Sequence, residues 1–267
     1  MREYKTFTVE CKDQVATVTF VTLPPGSNVA WDLGCLMNEL REDNSIRVIV
    51  FTGSGGNFNI PMPKSHYDSP EKAAQHQNPA RGWHTFTGIL RFHQGMAEIE
   101  KPVIAKVNGD AIGFGSSIVF ACDFIVARED AVIMDHHIGA NFMGNYNGEL
   151  KPAGHDYSNV PGDGGTSLIP MFMSPCMAKE YLMLAKPFTA SELARFGIIN
   201  YAVPAAALDA KVDDMVQRLL QRGAYALART KRLINRKLAD QLNLTLDASV
   251  GYELATQLQP HDIKKLG

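Results

Sequence analysis

Residues 101–123, KPVIAKVNGDAIGFGSSIVFACD, constrain the fold of this chain more than any other stretch. Val103–Val107 is mostly apolar and β-branched, which predicts a buried strand, and Asn108-Gly109 predicts a turn directly after it. The small residues that follow predict a helix over residues 116–121. Backbone N–H groups at a helix N-terminus favour an anion, although glycines before the helix also allow a tight turn and close strand–helix packing. A buried strand is therefore expected to lead into a helix with a polar N-terminus.

Composition indicates an ordinary globular protein. The 267 residues are 45% hydrophobic and 20% charged, enough to bury a substantial core in one large domain or two small ones. The net charge of −2 predicts neither a nucleic-acid partner nor an anionic membrane surface. The four cysteines are widely spaced, as expected of reduced thiols rather than disulfides or a metal cage. Because the sequence shows no signal segment and no long apolar run, a cytoplasmic location is predicted. No bound metal is predicted, since the histidines lack the spacing of metal ligands.

The order of predicted elements indicates an α/β protein. Periodicity predicts strands and helices in turn over residues 7–10, 15–20, 31–43, 47–51, 81–99, 124–127 and 132–134. Residues 139–159 form a polar, Gly- and Asn-rich insertion, which is expected to be a surface loop around the mouth of a site. From residue 175 to residue 257 the pattern is helical. The chain therefore begins with alternating strands and helices and ends in helices alone.

The central segment resembles the signature of the crotonase (enoyl-CoA hydratase/isomerase) superfamily. The resemblance rests on Lys101, Val107-Asn108-Gly109, Gly113, Gly115 and Ala121-Cys122-Asp123. Further motifs follow in the family's order: VIVFTG at 48–53, VPGDGGT at 160–166, FTA at 188–190 and GIIN at 197–200. The resemblance implies an α/β fold with a crotonase-like ββα spiral core over residues 1–200. It also implies a C-terminal helical region over residues 201–267 that builds a homotrimer or a hexamer, as a dimer of trimers.

The resemblance implies an oxyanion hole made from two loops. In the family, one backbone N–H follows the VIVFTG strand and another belongs to the Gly-rich turn, and together they bind a thioester carbonyl or enolate. By position, the donors here are the N–H groups of Met62 and Phe114. Pro61 and Pro63 flank Met62, and proline fixes φ and lacks a donor. The sequence thus departs from the family in the loop that elsewhere forms part of the pocket for the CoA adenine.

The catalytic positions also depart from the hydratases of the family, which carry two glutamates. Here the first position is Ser117 and the second is His137. The usual two-carboxylate hydration mechanism is therefore not available, whereas an imidazole acts as a base near neutral pH without a large pKa shift. His155, within the polar insertion, is a rival base. Asp163 fits two roles, the N-cap of the next helix or the carboxylate that orients the imidazole.

One branch of the superfamily resembles these departures better than the hydratases do. It is the branch of oxocamphor hydrolase and related β-diketone hydrolases, which cleave a carbon–carbon bond by retro-Claisen chemistry without CoA. The positions that resemble it are Trp31, His137, Asp163 and Glu253, while two further histidines of that branch fall on Leu36 and Gly115. The predicted catalytic residues are His137, Asp163 and Glu253. The predicted substrate contacts are Trp31, Ser117 and His155, although core packing for Trp31 and an exposed helix position for Glu253 remain alternatives.

Three functions follow as hypotheses. In the first, a small β-diketone is cleaved by water that His137 activates, with Asp163 orienting the ring and with no cofactor. In the second, the enzyme hydrates or isomerises an acyl-CoA thioester, so that coenzyme A enters as part of the substrate. A basic cluster supports the second hypothesis if it contacts phosphate rather than solvent: Arg229, Lys231, Arg232, Arg236 and Lys237. In the third, the lost glutamates mean a crotonase-like protein without activity.

Overall fold

The structure is a computed structural model that describes residues 2–21, 23, 27–67, 79–146, 148–154 and 158–257. A six-stranded sheet lies at its centre. Its strands are β1 (Phe7–Lys12), β2 (Val15–Phe20), β3 (Val48–Gly53), β5 (Val103–Val107), β7 (Phe124–Arg128) and β12 (Tyr201–Val203), in the order β1-β2-β3-β5-β7-β12. Only the β1–β2 pair is antiparallel within this sheet. The apolar run predicted as a buried strand is β5, with the predicted bounds.

A second sheet of four strands stands beside the first. It contains β4 (Asn57–Asn59), β6 (Asp110–Ile112), β8 (Val132–Met134) and β11 (Phe188–Thr189), in the order β11-β8-β6-β4. The three strands β4, β6 and β8 run parallel, and each follows a strand of the first sheet. Helices come after each pair of strands, so the chain repeats a ββα unit. The α/β class and the ββα spiral expected from the sequence are therefore confirmed.

Ten helices are described in these ranges, and the first five complete the spiral. These are α1 (Val29–Glu42), α2 (Lys64–Tyr67), α3 (Pro79–Glu98), α4 (Phe114–Ala121) and α5 (Gly165–Phe172). The C-terminal part holds α6 (Pro175–Met183), α7 (Ala190–Arg195), α8 (Leu208–Leu220), α9 (Ala224–Ile234) and α10 (Arg236–Gln257), with a 3₁₀ turn at Ala205–Ala207 before α8. The division at residue 200 stays a prediction, and β12 just beyond it pairs with β7 of the central sheet.

The core lies on both faces of the central sheet. On one face α1 packs on α3, and apolar side chains of α10, such as Leu242 and Val250, join the same buried cluster. On the other face Val212 and Met215 of α8 cover β3, β5 and β7. Because the central strands are buried on both faces, their sequences are continuous apolar runs, as parallel strands require. No helix in the described part of the chain is long and apolar enough to cross a membrane.

The polar insertion at residues 139–159 differs from its prediction as a loop. Apart from the residues outside the description, it forms a two-stranded hairpin of β9 (Asn141–Tyr146) and β10 (Glu149–Gly154). The side-chain oxygen of Asn145 accepts from the N–H of Gly148 at 2.7 Å, and Gly148 has a φ of 88°. Asparagine and glycine are the residues that tight hairpin turns favour. The same residues that suggested an irregular loop thus build the turn of a hairpin.

Candidate active site

Two loops from different parts of the chain meet at the N-terminus of α4. Gly115 lies so close to the loop before Met62 that a Cβ atom there would be 2.1 Å from the carbonyl oxygen of Asn59. Only glycine allows that approach. The hairpin holds the loop from its other side, because the Tyr146 hydroxyl donates to the Pro61 carbonyl at 2.9 Å. The sequence segments that carry Met62 and Phe114 therefore converge.

A cavity of about 220 Å³ lies at this convergence. The predicted site residues that line it are Met62, Phe114, His137, Asp163 and Glu253. Much of the remaining wall is apolar, from residues such as Val29, Ile89 and Ile112. Polar residues just before α1 and on α3 complete it. Ligand pockets usually measure roughly 300–1,000 Å³. This cavity therefore suits the small reacting part of a substrate.

His137 is buried at one end of the cavity, with 8% of its surface exposed. It follows β8 in the turn Asp135-His136-His137. One oxygen of Asp135, Oδ1, lies 2.8 Å from Nδ1 of the His137 ring and also accepts from the His137 backbone N–H at 2.9 Å. The other ring nitrogen, Nε2, faces Asp163 Oδ2 at 3.5 Å and Glu253 Oε1 at 3.9 Å. One imidazole thus lies among three carboxyl groups.

Asp163 is held by its neighbours from two sides. The Ser117 hydroxyl donates to Asp163 Oδ1 at 3.0 Å, and Nε2 of His93 lies 2.7 Å from the Asp163 carbonyl oxygen. Burial lowers the pKa of His93 to about 4, so its neutral ring donates from Nε2. The N-cap of α5 is Gly164, without a side-chain cap bond. The Asp163 side chain therefore does not cap α5, and its Oδ2 faces the imidazole at 3.5 Å.

Glu253 enters the site from α10, although an exposed helix position was an alternative. It is only 7% exposed, and the side-chain amide of Gln257 donates to its Oε1 at 3.0 Å. The loop around Asp163 passes very close to it: a Cβ atom at Gly162 would lie 2.6 Å from the Cβ of Glu253. Glycine at residue 162 is what lets the last helix bring a carboxyl group to the cavity.

Burial and mutual contact shift the pKa values of these groups in different directions. Burial opposes the charge on His137, but Asp135 and Asp163 outweigh it and raise the pKa of the imidazole well above its usual 6.5. Burial would raise the pKa of Asp135, but its contacts with His137 lower it below its usual range. Burial raises the pKa of Asp163 to about 6 and that of Glu253 to about 8. Near pH 7 the cluster thus contains both a charged and a protonated carboxyl group.

Comparison with known proteins places the chain in a family. Residues 27–265 match the family described as enoyl-CoA hydratase/isomerase. The chain belongs to that family. A crotonyl-CoA hydratase of Syntrophomonas wolfei is 25% identical over 257 residues, which are 93% of this chain and 90% of that protein. The crotonase resemblance inferred from residues 101–123 is therefore confirmed.

Solved structures share the fold of this crotonase. An enoyl-CoA hydratase/isomerase from Mycobacterium paratuberculosis is 22% identical, with a TM-score of 0.80 over 96% of this chain and 95% of that one. A β-diketone hydrolase from the cyanobacterium Anabaena sp., bound to (S)-3-oxocyclohexyl acetic acid, is 20% identical, with a TM-score of 0.75 over 96% of both chains. At these identities the likeness extends to the fold and not to the substrate.

The crotonase site does not bring every predicted residue together. Trp31 does not line the cavity; its ring stacks on His84, with ring centroids 4.3 Å apart. Ser117 reaches Asp163 rather than the cavity surface. His155 lies outside the described residues. The predicted substrate contacts of these three residues stay predictions, while the predicted catalytic residues lie together at one end of the cavity.

Two residues of the site are not among those predicted from the sequence. Asp135 directly follows a predicted strand, where residues i and i+2 point to the same side, so its spacing Asp-x-His from His137 was a usable signal. The orienting hydrogen bond expected from Asp163 is made by Asp135. His93 carried no comparable signal, because it lies within an apolar helix pattern. Its role depends on a contact with residue 163, which is far away in the sequence.

The same groups include one set that resembles a metal site. Among the described residues, ligand atoms of Asp135, His137 and Asp163 lie within 4.8 Å of one another. However, Asp135 binds Nδ1 and Asp163 faces Nε2, which are different nitrogens of one ring. A single ion in the ring plane binds one of those nitrogens. The arrangement therefore fits proton transfer through an imidazole better than metal coordination.

Proposed function

We propose that this crotonase is an enzyme that stabilises the enolate or oxyanion of a carbonyl substrate and transfers protons through His137, Asp163 and Glu253. The backbone N–H groups of Met62 and Phe114 are the proposed oxyanion donors. The observation that carries the proposal is the buried His137 ring, whose Nε2 faces two carboxyl groups at the end of a cavity that Met62 and Phe114 also line. Convergent polar groups with shifted pKa values in one cavity are typical of active sites.

The pKa values support a division of labour. Asp163, with a pKa of about 6, is largely ionised at pH 7, whereas Glu253, with a pKa of about 8, is largely protonated. We assign the accepting role to His137 and Asp163 together: Nε2 takes a proton from water or substrate once Asp163 has taken the proton that Nε2 holds. Glu253 is the proposed donor. Groups whose environments separate their pKa values in this way commonly serve as acid and base.

Each element of the site has a characteristic magnitude. A backbone donor in an oxyanion hole lowers a reaction barrier by about 3 kcal/mol, and a positioned acid or base accelerates a reaction by roughly 10²–10⁴-fold. We therefore expect the two proposed N–H donors and the proton-transferring cluster together to give a large rate enhancement.

An acyl-CoA thioester is the first candidate substrate. The family that the chain matches is named for enoyl-CoA hydratases and isomerases, and the relative from Syntrophomonas wolfei is named a crotonyl-CoA hydratase. Hydration, dehydration and isomerisation of a thioester all pass through an enolate-like state that two N–H donors stabilise. Coenzyme A is then part of the substrate.

A β-diketone is the second candidate, cleaved at a carbon–carbon bond without CoA. Ser117 and His137 stand where the resemblance places the two glutamates of hydratases. Two residues of the basic cluster are already paired, since Arg229 lies 2.9 Å from Glu100 and the buried Lys231 lies 2.6 Å from Asp123. The other three, Arg232, Arg236 and Lys237, are exposed. The grouping in the sequence suggested that Lys231 lies on a solvated face, but the residue is buried.

A binding panel separates these functions. Binding is measured as a shift in the thermal unfolding of the protein, alone and with CoA, crotonyl-CoA or cyclic β-diketones. In parallel, the protein is incubated with each compound and the products are identified by mass spectrometry. A thermal shift with micromolar crotonyl-CoA and formation of the hydrated thioester support the first candidate. Cleavage of a diketone without any shift by CoA supports the second. If the protein neither binds nor converts either class of compound, both candidate functions are contradicted. The remaining hypothesis is then a crotonase-like protein without activity.

We also propose that the chain assembles as a homotrimer or a dimer of trimers through its C-terminal helices. Large apolar side chains on α9 and α10 are exposed in the single chain: Tyr225, Leu233, Ile234, Leu244 and Tyr252. Clusters of exposed apolar residues commonly mark protein interfaces. Light scattering after size-exclusion chromatography tests this. A mass of three or six chains is expected, and a monomer at micromolar concentration contradicts the proposal.

A further inference from the structure

We propose that Asp135 is a positioning residue, which holds the His137 ring by Nδ1 so that Nε2 is the nitrogen presented to the cavity. The proposal deepens the function above and depends on it only for its catalytic meaning. It begins from a single oxygen, Asp135 Oδ1, which accepts from both the backbone N–H and Nδ1 of His137, at 2.9 and 2.8 Å. Two contacts to one residue fix both the turn and the ring.

Asp135 is buried so deeply that its charge needs compensation. It is 1% exposed, and its second oxygen, Oδ2, has no hydrogen-bond partner among the described residues. Oδ2 lies against the first residue of α5, since a Cβ atom at Gly165 would be 2.8 Å away from it. The N-terminus of a helix favours a negative charge. The His137 imidazole on one side and the start of α5 on the other therefore allow Asp135 to stay ionised.

Three other titratable groups surround Asp135 and His137. His136 lies between them in the sequence, whereas Asp163 belongs to the loop before α5 and Glu253 to α10. The two carboxyl groups beyond the turn both face Nε2, at 3.5 and 3.9 Å, which is too long for a strong hydrogen bond. Among the carboxyl groups of the described residues, only Asp135 makes a short contact to the ring. It is thus the group that decides which nitrogen carries the permanent proton.

This assignment has a chemical consequence. With Nδ1 bound to Asp135, the neutral ring carries its proton on Nδ1 and leaves the Nε2 lone pair free to accept one. A carboxylate in this position also stabilises the imidazolium that forms when Nε2 is protonated. An uncharged acceptor in the same place would orient the ring without giving that stabilisation.

Nitrogen NMR of the histidine rings tests the proposal without any substrate. Protein labelled with ¹⁵N at the histidine rings is titrated, and His137→Gln identifies the resonances of His137. We expect Nδ1 to stay protonated throughout the range in which the protein is folded, with Nε2 losing its proton first. In Asp135→Asn, which keeps the shape and removes the charge, we expect the proton affinity of His137 to fall at least tenfold. Asp130→Asn removes an exposed carboxylate near the same strand and should leave the titration unchanged.

The outcomes are unambiguous even where a variant folds poorly. In the wild-type protein alone, a neutral ring protonated on Nε2 contradicts the proposal. An unchanged His137 titration in folded Asp135→Asn contradicts it as well. Once a substrate is identified, Asp135→Asn should lower kcat by roughly 10²–10⁴-fold with little change in KM. If no substrate is found the proposed function fails, but the ring titration still decides the role of Asp135.

Discussion

This protein contains two buried clusters that each combine positive and negative side chains, and they differ in the balance of those charges. The first joins Lys231 of α9 to Asp123, which follows α4. Lys231 Nζ donates to Asp123 at 2.6 Å and to the Lys101 carbonyl at 3.0 Å, and Asp123 also accepts from the Val103 N–H at 2.8 Å. One positive charge pairs with one negative charge, and backbone groups make further hydrogen bonds to both side chains.

The second cluster has one imidazole for three carboxyl groups. Asp135, Asp163 and Glu253 all act on His137, and two of their oxygens have no hydrogen-bond partner among the described residues. Burial raises the pKa values of Asp163 and Glu253, and the neighbouring carboxyl groups raise them further. The second cluster also adjoins a cavity, whereas Lys231 and Asp123 line none of the described pockets.

The difference indicates what each cluster does. A balanced pair with satisfied partners fixes the position of α9 against the central sheet. In an unbalanced cluster the pKa values of the groups lie close enough to neutral pH for protons to move between them, which is what acid–base chemistry requires. Mutations should therefore separate the two: changes in the first cluster should alter stability, and changes in the second should alter rate and pH dependence.

The largest expected effect on stability is that of Lys231→Met. It leaves the carboxylate of Asp123 buried without its cation, and breaking such a pair typically costs about 3–5 kcal/mol. Urea denaturation should show a loss of this size, with the activity of the remaining folded protein unchanged. Lys179→Met, at an exposed position of α6, is the matched control and should change stability by no more than about 0.5 kcal/mol. A loss of rate without a loss of stability would contradict the structural role.

A smaller effect is expected from Glu253→Gln, with the opposite sign. The folded pKa of about 8 lies above the ordinary value of 4.5, so the wild-type protein loses stability as the pH rises from about 4.5 through 8. Glutamine cannot ionise and removes that loss. We expect the variant to match the wild type near pH 5 and to exceed it by about 1–3 kcal/mol at pH 9.

Urea denaturation across pH tests the Glu253→Gln prediction. The control is Glu42→Gln, which removes an exposed carboxylate at the end of α1 and should not change the pH dependence. A difference between wild type and Glu253→Gln that is the same at every pH would mean that Glu253 ionises normally in the folded protein.

The two clusters also show which features of the structure can be predicted from the sequence. Local patterns predicted β5 with its bounds, because its short apolar run is rich in β-branched residues and ends at a turn signal. Position within the family motifs identified His137, Asp163 and Glu253. Lys231 was grouped with solvated arginines, since its partner Asp123 is 108 residues away and no local pattern connects them. The contact of His93 with Asp163 likewise depends on packing, which local periodicity does not contain. The β9–β10 hairpin differs, because the asparagine and glycine at its turn are a local signal that the sequence already contained.

The initial rate of His137→Gln tests the central claim most directly. It is measured on the substrate class that the binding panel selects, beside the wild type and His84→Gln, a control that removes a ring outside the cavity. We expect His137→Gln to remain folded and to lose at least about 10²-fold in kcat, while His84→Gln keeps a rate close to that of the wild type. A folded His137→Gln with the wild-type rate would show that the imidazole does not transfer the proton.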